Sequence, residues 1–320
     1  MTSPPSPTLP LADGEISIGS FADPVVVDPD PALLAALLRA YRDAAPAAID
    51  PDLDALRSGA EAGGDPLAPV TDLPALTVFA SGRAVDAIAD RFRPATRLAA
   101  LAEAGVWDLR ALGEAQPNAV LAGRSDGCVL VAAAGDGGDG GADATPAGPG
   151  PWCRIGDDPT LRGRYDAPLA DAEGVRIRTP SRHRLYGALR DRCGDGVADE
   201  AVRLLDAERE VDAARGDSAA SGGDESDPLD RGGARVRTYA AGARRGALDR
   251  DLRRACEDAG LGSSATFTRI KRELAEAGLL GTEPVSQPVG RPRKRLVARG
   301  ALANASSPAA ALEALRENGL

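Results

Sequence analysis

The chain has 320 residues, 43% hydrophobic but only 3% aromatic, so its cores must be built from Ala, Leu and Val. No stretch reaches the ~18 uninterrupted apolar residues of a membrane helix, and Cys128, Cys153, Cys193 and Cys256 are scattered without a CxxC pair. That spacing speaks against a zinc site or a disulfide framework and predicts a reducing, cytoplasmic setting. The formal charge is −10, and only Lys271 and Lys294 are lysines; the other 36 basic residues are arginine. A surplus of carboxylates with almost no lysine predicts an extreme halophile, whose surface must stay hydrated in concentrated salt. A high-GC genome explains the arginines but not the acids.

Residues 1–23 begin Met-Thr-Ser-Pro-Pro-Ser-Pro, without the charged and apolar regions of a signal peptide, and read as a disordered tail. Pro24-Val-Val-Val-Asp28 predicts a first strand. Leu33, Leu34, Leu37, Leu38 and Tyr41 then share one face of a helix. Thr77-Val-Phe-Ala80 predicts a second strand, followed by a helix with Val85, Ile88, Ala89 and Phe92 inward. A further helix is expected from about Ala95 to Ala104. Strands are expected at Val106–Leu109, Ala119–Ala122 and Cys128–Ala133. This order predicts a small open α/β N-terminal domain over 24–215. Residues 135–150, rich in Gly, Pro and Asp, read as a flexible insertion. Val175-Arg-Ile-Arg178 predicts one more strand, and helices follow near 181–193 and 197–214. The Gly, Ser and acid-rich stretch 216–232 reads as a linker.

Beyond the linker the charge reverses. Residues 231–299 carry sixteen Arg and Lys against seven Asp and Glu, a net of +9, so the remaining residues sum to −19. A basic module on an acidic body is the footprint of a domain that meets a polyanion. Val236, Tyr239, Ala240 and Ala243 mark a first helix, ended by Gly246. Leu248, Leu252, Ala255 and Cys256 mark a second. Ala259-Gly-Leu-Gly262 supplies a tight turn, and Ser263 or Ser264 can cap a third helix. Phe267, Ile270, Leu274 and Ala277 form its packing stripe.

Its other face carries Ser264, Ala265, Thr266, Thr268, Arg269, Lys271 and Arg272, small at the start and cationic later. A major-groove helix needs that gradient, because its first residues approach base edges and its later ones reach phosphates. A strand from Leu280, a tip at Gln287–Pro292 and a return strand carrying Arg293, Lys294 and Arg295 predict a basic wing. Gly290-Arg-Pro292 can push Arg291 into a narrow minor groove. The expectation is a winged helix-turn-helix over 233–300, with a recognition helix at 263–277, a wing at 286–295, and double-stranded DNA as partner. Residues 301–320 read as a tail with a short helix from Pro308 bearing Leu312 and Leu315.

The stretch from Val236 to Arg299 resembles the winged helix of the haloarchaeal TbsP-type transcriptional regulators. The residues that carry the resemblance are Gly260-Leu-Gly-Ser-Ser-Ala-Thr-Phe-Thr-Arg269, Leu274, Gly278-Leu-Leu280 and Val289-Gly-Arg-Pro-Arg293. Pro24–Asp28, Leu109-Arg-Ala-Leu112 and Val175–Pro180 add a looser likeness. The resemblance implies a cytoplasmic DNA-binding regulator with an α/β domain of unassigned ligand. The glycine-rich insertion and the acidic linker depart from the family.

Other constellations point nowhere specific. Gly135-Asp-Gly-Gly-Asp-Gly140 has dinucleotide-loop spacing, but Gly141, Asp143, Pro146 and Pro149 stand where a helix must open. Asp50, Asp52, Asp54 and Glu61 have calcium-loop spacing, but Ala55 occupies the turn position that requires glycine. His183 is the only histidine and has no cysteine or acid at motif spacing. No catalytic residue, cofactor or metal is therefore expected. The sequence predicts a homodimeric regulator whose α/β body senses an effector or joins subunits. Its rivals are a winged-helix adaptor that contacts protein, and a chromatin protein that binds DNA without preference.

Overall fold

The computed structural model describes residues 6–132, 152–215, 229–287 and 292–320. The insertion at 135–150, linker residues 216–228 and the wing tip with Arg291 lie outside them. In chain order the first elements are β1 (Thr8–Leu11), β2 (Gly14–Ser17), β3 (Val25–Val27), α1 (Pro31–Ala44), α2 (Pro46–Ile49) and α3 (Leu53–Ala62). Next come β4 (Leu76–Ala80), α4 (Gly82–Ala89), α5 (Phe92–Glu103), β5 (Trp107–Ala111), β6 (Ala119–Ala122), β7 (Gly127–Ala132), β8 (Trp152–Ile155) and α6 (Asp166–Ala170). The remainder is mostly helical: α7 (Arg182–Cys193), α8 (Asp195–Arg215), α9 (Arg231–Arg244), α10 (Asp249–Ala259) and α11 (Ser264–Glu276). A hairpin of β9 (Leu280–Val285) and β10 (Arg293–Ala298) follows, then α12 (Gly300–Asn304) and α13 (Pro308–Arg316). Two compact units result. The first holds residues up to 50, 65–89 and 97–177; the second holds 51–64, 90–96 and 178–320.

The first unit is a mixed α/β domain around an eight-stranded sheet of order β2-β1-β8-β7-β6-β3-β4-β5. β3, β4 and β5 pair in parallel, which requires the long helical connections found between them. Asp30 starts α1 by accepting a hydrogen bond from the Leu33 amide at 2.7 Å, with Pro31 in the first turn. Val26, Val78 and Leu121 belong to one core cluster, and Val25, Val27, Phe79 and Val120 to another. These central strands are buried on both faces, so they read as continuous apolar runs rather than alternating ones. Tyr41 packs edge-on against Trp107 at 5.3 Å and donates to the Pro74 carbonyl at 2.7 Å, which satisfies its buried hydroxyl.

Several expectations change here. Within the tail drawn at 1–23, residues 8–17 form the antiparallel hairpin β1–β2, and Leu9 and Ile18 are fully buried. The sheet is larger than a small open one, because this hairpin and β8 extend it beyond β7. Val175–Arg178 forms no strand: Gly174 makes a single bridge to Arg110 of β5, and pairing stops there. Phe92 does not belong to α4; it opens α5 and lies in the core of the second unit.

The second unit gathers α3 and α7–α13 around one core. Val197, Ala198, Ala201, Leu204 and Leu205 of α8 share that core with Val236, Tyr239 and Ala240 of α9. The boundary expected at 216–232 therefore falls earlier, near 178, since α7 and α8 bury their apolar faces against the basic module. Helical spacing shows that a face will be buried, but not against which partner. Three carboxylates on α8 are clasped by arginines: Asp199 by Arg57, Glu200 by Arg244 and Arg245 at 2.6 and 2.7 Å, and Asp206 by Arg182 at 2.7 Å. A charge removed from water persists only when paired in this way. Leu312 and Leu315 of α13, read from the sequence as part of a tail, are buried inside this unit.

Candidate nucleic-acid interface

The helix-turn-helix begins with α10. Gly260 ends it with φ +84°, a left-handed conformation that suits glycine, and the Leu261 amide donates to the Cys256 carbonyl at 2.9 Å. Leu261 is fully buried, so the turn is pinned from inside. Ser263 is the cap of α11, accepting from the Thr266 amide at 3.3 Å, while its hydroxyl also meets that of Thr266 at 3.0 Å. Phe267, Ile270 and Leu274 are buried along one stripe, and Phe267 stacks on Tyr239 of α9 at 5.8 Å. That stacking fixes the rotation of α11 about its own axis.

With one face committed inward, Ala265, Thr268, Arg269 and Arg272 are exposed, and Ser264 and Thr266 are half-buried. The Thr268 hydroxyl donates to the Ser264 carbonyl at 2.8 Å. Arg269 pairs with Glu273 at 3.1 Å and Arg272 with Glu276 at 3.7 Å, both one turn along the helix. Exposed i,i+4 pairs contribute only about 0.3–0.5 kcal/mol, so both arginines can exchange these carboxylates for another anion.

Lys271 is placed differently from the free phosphate-seeking cation that the sequence suggested. Its side chain is 23% exposed and its Nζ lies 2.7 Å from Asp249 Oδ2, whose own side chain is 8% exposed. Asp249 also accepts from the Tyr239 hydroxyl, and Arg253 Nε approaches it at 3.5 Å. Burial pushes the Asp249 carboxyl up, but the hydrogen bonds from Lys271 and Tyr239 and the charges of Lys271 and Arg253 together hold it below the usual range. Lys271 thus anchors α11 to the start of α10.

Arg253 has no place in the sequence reading, yet it reaches this face. Its Nη1 donates to Ser264 Oγ at 3.3 Å and to Thr268 Oγ1 at 3.4 Å. It sits one turn after Asp249 on α10, a spacing that discloses its approach to Asp249 but not its reach to α11.

The wing is an antiparallel pair in register from Leu280↔Ala298 to Val285↔Arg293. Leu296 is fully buried and its amide donates to the Ala247 carbonyl at 2.8 Å, which ties the hairpin to the connection between α9 and α10. Arg293, Lys294 and Arg295 are exposed; Arg293 meets Asp251 at 3.4 Å. The side chain of Arg295 passes over Gly246, whose φ of +67° makes the break after α9.

The acids with calcium-loop spacing have other tasks. Asp50 pairs with Arg97 at 2.6 Å, and Asp52 caps α3 through the Ala55 amide at 2.8 Å.

Three helices and a hairpin in this order have the layout of a winged helix-turn-helix. Residues 181–316 match the family described as transcriptional regulator TbsP-like, C-terminal HTH domain. The C-terminal region is similar to that family's HTH domain. The match starts at Ser181, the cap of α7, and ends at Arg316, the last residue of α13. The match therefore takes in α7, α8 and α13, not only the basic stretch 233–300. That family is one of transcriptional regulators, and the likeness supports a DNA-binding regulatory function. No curated protein and no solved structure matches the chain. Among the described residues no helix is long and apolar enough to cross a membrane.

Proposed function

We propose that the protein is a sequence-specific, double-stranded-DNA-binding transcription regulator of a halophilic archaeon. α11 enters the major groove, Thr268 and Arg269 act near base edges, and Arg272 acts on phosphate. The wing, with Arg293, Lys294, Arg295 and the tip residue Arg291, follows the backbone or the minor groove. The observation that carries this reading is the exposed face of α11, small at Ala265 and Thr268, cationic at Arg269 and Arg272, and fixed in rotation by Phe267 against Tyr239.

Two subunits reading a pseudo-palindrome complete the proposal, since one such helix covers one half-site. The α/β unit joins the subunits or senses an effector. A cleft of about 460 Å³ lined by Asp23, Arg124, Thr160, Arg162 and Asp166, with charges of both signs, supports the sensing role.

Selection of duplexes from a random pool by the full chain tests the reading. The expected result is enrichment of one inverted-repeat segment. Retention of all duplexes equally points to a chromatin protein, and retention of none points to an adaptor; either overturns the proposal.

A further inference from the structure

Arginines without carboxylate partners are informative in a chain of charge −10. Arg231 and Arg235 stand one turn apart on α9 and so share a face. Arg231 Nε donates to the hydroxyl of buried Thr179 at 3.2 Å, beside exposed Arg178. Arg235 Nε donates to the Leu261 carbonyl at 2.7 Å, in the turn that leads into α11. A side chain at Gly262 would come within 3.2 Å of that Nε, so the glycine leaves room for Arg235 there. None of Arg178, Arg231 and Arg235 forms an ion pair among the described residues. The nearby acid Asp230 is occupied in capping α9 through the Gly233 amide at 2.6 Å.

These cations crowd one another. Burial lowers the proton affinity of the Arg231 guanidinium and the charge of Arg178 lowers it further, against Asp90. Burial does the same to Arg235, joined by Arg231 and by Arg269 of α11, against Asp230. Arginine stays protonated even so. A row of unneutralised, partly desolvated guanidinium groups leading to an exposed helix face is relieved by an incoming anion.

We infer that Arg178, Arg231 and Arg235 form a second backbone-binding strip, which takes phosphodiester groups of duplex DNA flanking the segment read by α11, on the side away from the wing. The wing is tied to Ala247, just past the C-terminal end of α9, whereas Arg231 is the first residue of that helix. The 14-residue helix separates the two by about 21 Å at 1.5 Å per residue, so α11 is bracketed by cations at both ends. The strip rests on the DNA-binding reading above. It extends the expected contact beyond the module drawn at 233–300, into the segment ahead of α7.

The test uses the full chain, the duplex it selects, and the double variant Arg178→Gln/Arg231→Gln. Each phosphate contact contributes about 0.9 to the slope of log K against log salt, so the double variant should flatten that slope by about 1.8. Base preference should stay as in the parent, and backbone protection should vanish at one flank of each half-site only. Arg178→Gln alone removes an exposed side chain and should flatten the slope by about 0.9, which decides the matter even if the double variant fails to fold. An unchanged slope and footprint in the variants, where the parent binds DNA, overturns the strip alone. A parent that retains no duplex overturns the DNA reading and the strip together.

Discussion

At the scale of single residues, the exposed face of α11 holds two kinds of cation. Arg269 and Arg272 are exposed and rest against half-buried Glu273 and exposed Glu276, which they can leave, while Lys271 is bound to a buried aspartate. Removing Lys271 deprives a buried charge of its hydrogen-bonded cation, with Tyr239 and Arg253 left to hold it. A hydrogen bond to a charged group contributes about 1.5–3 kcal/mol. Lys271→Ala is therefore expected to lower unfolding free energy by about that amount, measured in denaturant, while base preference stays unchanged. Lost preference with unchanged stability would place Lys271 on the DNA instead. Arg253→Ala should free Ser264 and Thr268 and weaken discrimination more than it weakens the fold.

At the scale of elements, the cap at Ser263 and the turn at Gly260 decide where α11 begins. Ser263→Ala is expected to cost about 0.5–2 kcal/mol, since one orphan amide loses its acceptor; equilibrium unfolding measures it. Lys294 and Arg295 of the wing should act by charge, so Arg295→Gln should matter at low salt and fade as the Debye length falls to about 3 Å near molar ionic strength. Arg291→Ala should still weaken binding there, most on A·T-flanked sites. Equal salt dependence of the two variants would remove the minor-groove role of Arg291.

Much of this element pattern was legible beforehand. α9, α10 and α11 carry apolar residues at helical spacing, and Gly260 and Ser263 are turn and cap signals that act locally. Phe267, Ile270 and Leu274 fell on the expected face for the same reason. What escaped depended on distant partners. Thr8–Leu11 and Gly14–Ser17 are too short to read as strands, and only pairing with each other and with β8 makes them so. α3 gave no helical stripe to read, because Leu56 alone among its side chains is fully buried. The tether of Lys271 was invisible because Asp249 lies 22 positions away in sequence. The arginines of the strip were hidden by the reading of 216–232 as a linker, which set Arg231 apart from its neighbours.

At the scale of the molecule, paired carboxylates should make the second unit sensitive to acid. Burial pushes Glu200 up, but the bonds from Arg244 and Arg245 outweigh it and hold the carboxyl below its usual value; Asp199, held by Arg57 and Tyr186, behaves likewise. Groups whose folded values are depressed stabilise the fold fully above their unfolded values, about 4 for carboxylates, and lose that contribution as pH falls through the folded ones. Stability should therefore drop below about pH 4, and Glu200→Gln should flatten the drop. A pH profile identical to the parent's would show that the cluster does not govern it. The central claim is that the outward face of α11 reads base sequence. Repeating the duplex selection with the Arg269→Ala full chain tests it most directly. The expected result is the same segment with preference relaxed at one position in each half-site and affinity reduced by about 1–3 kcal/mol. An enriched segment identical at every position would contradict it.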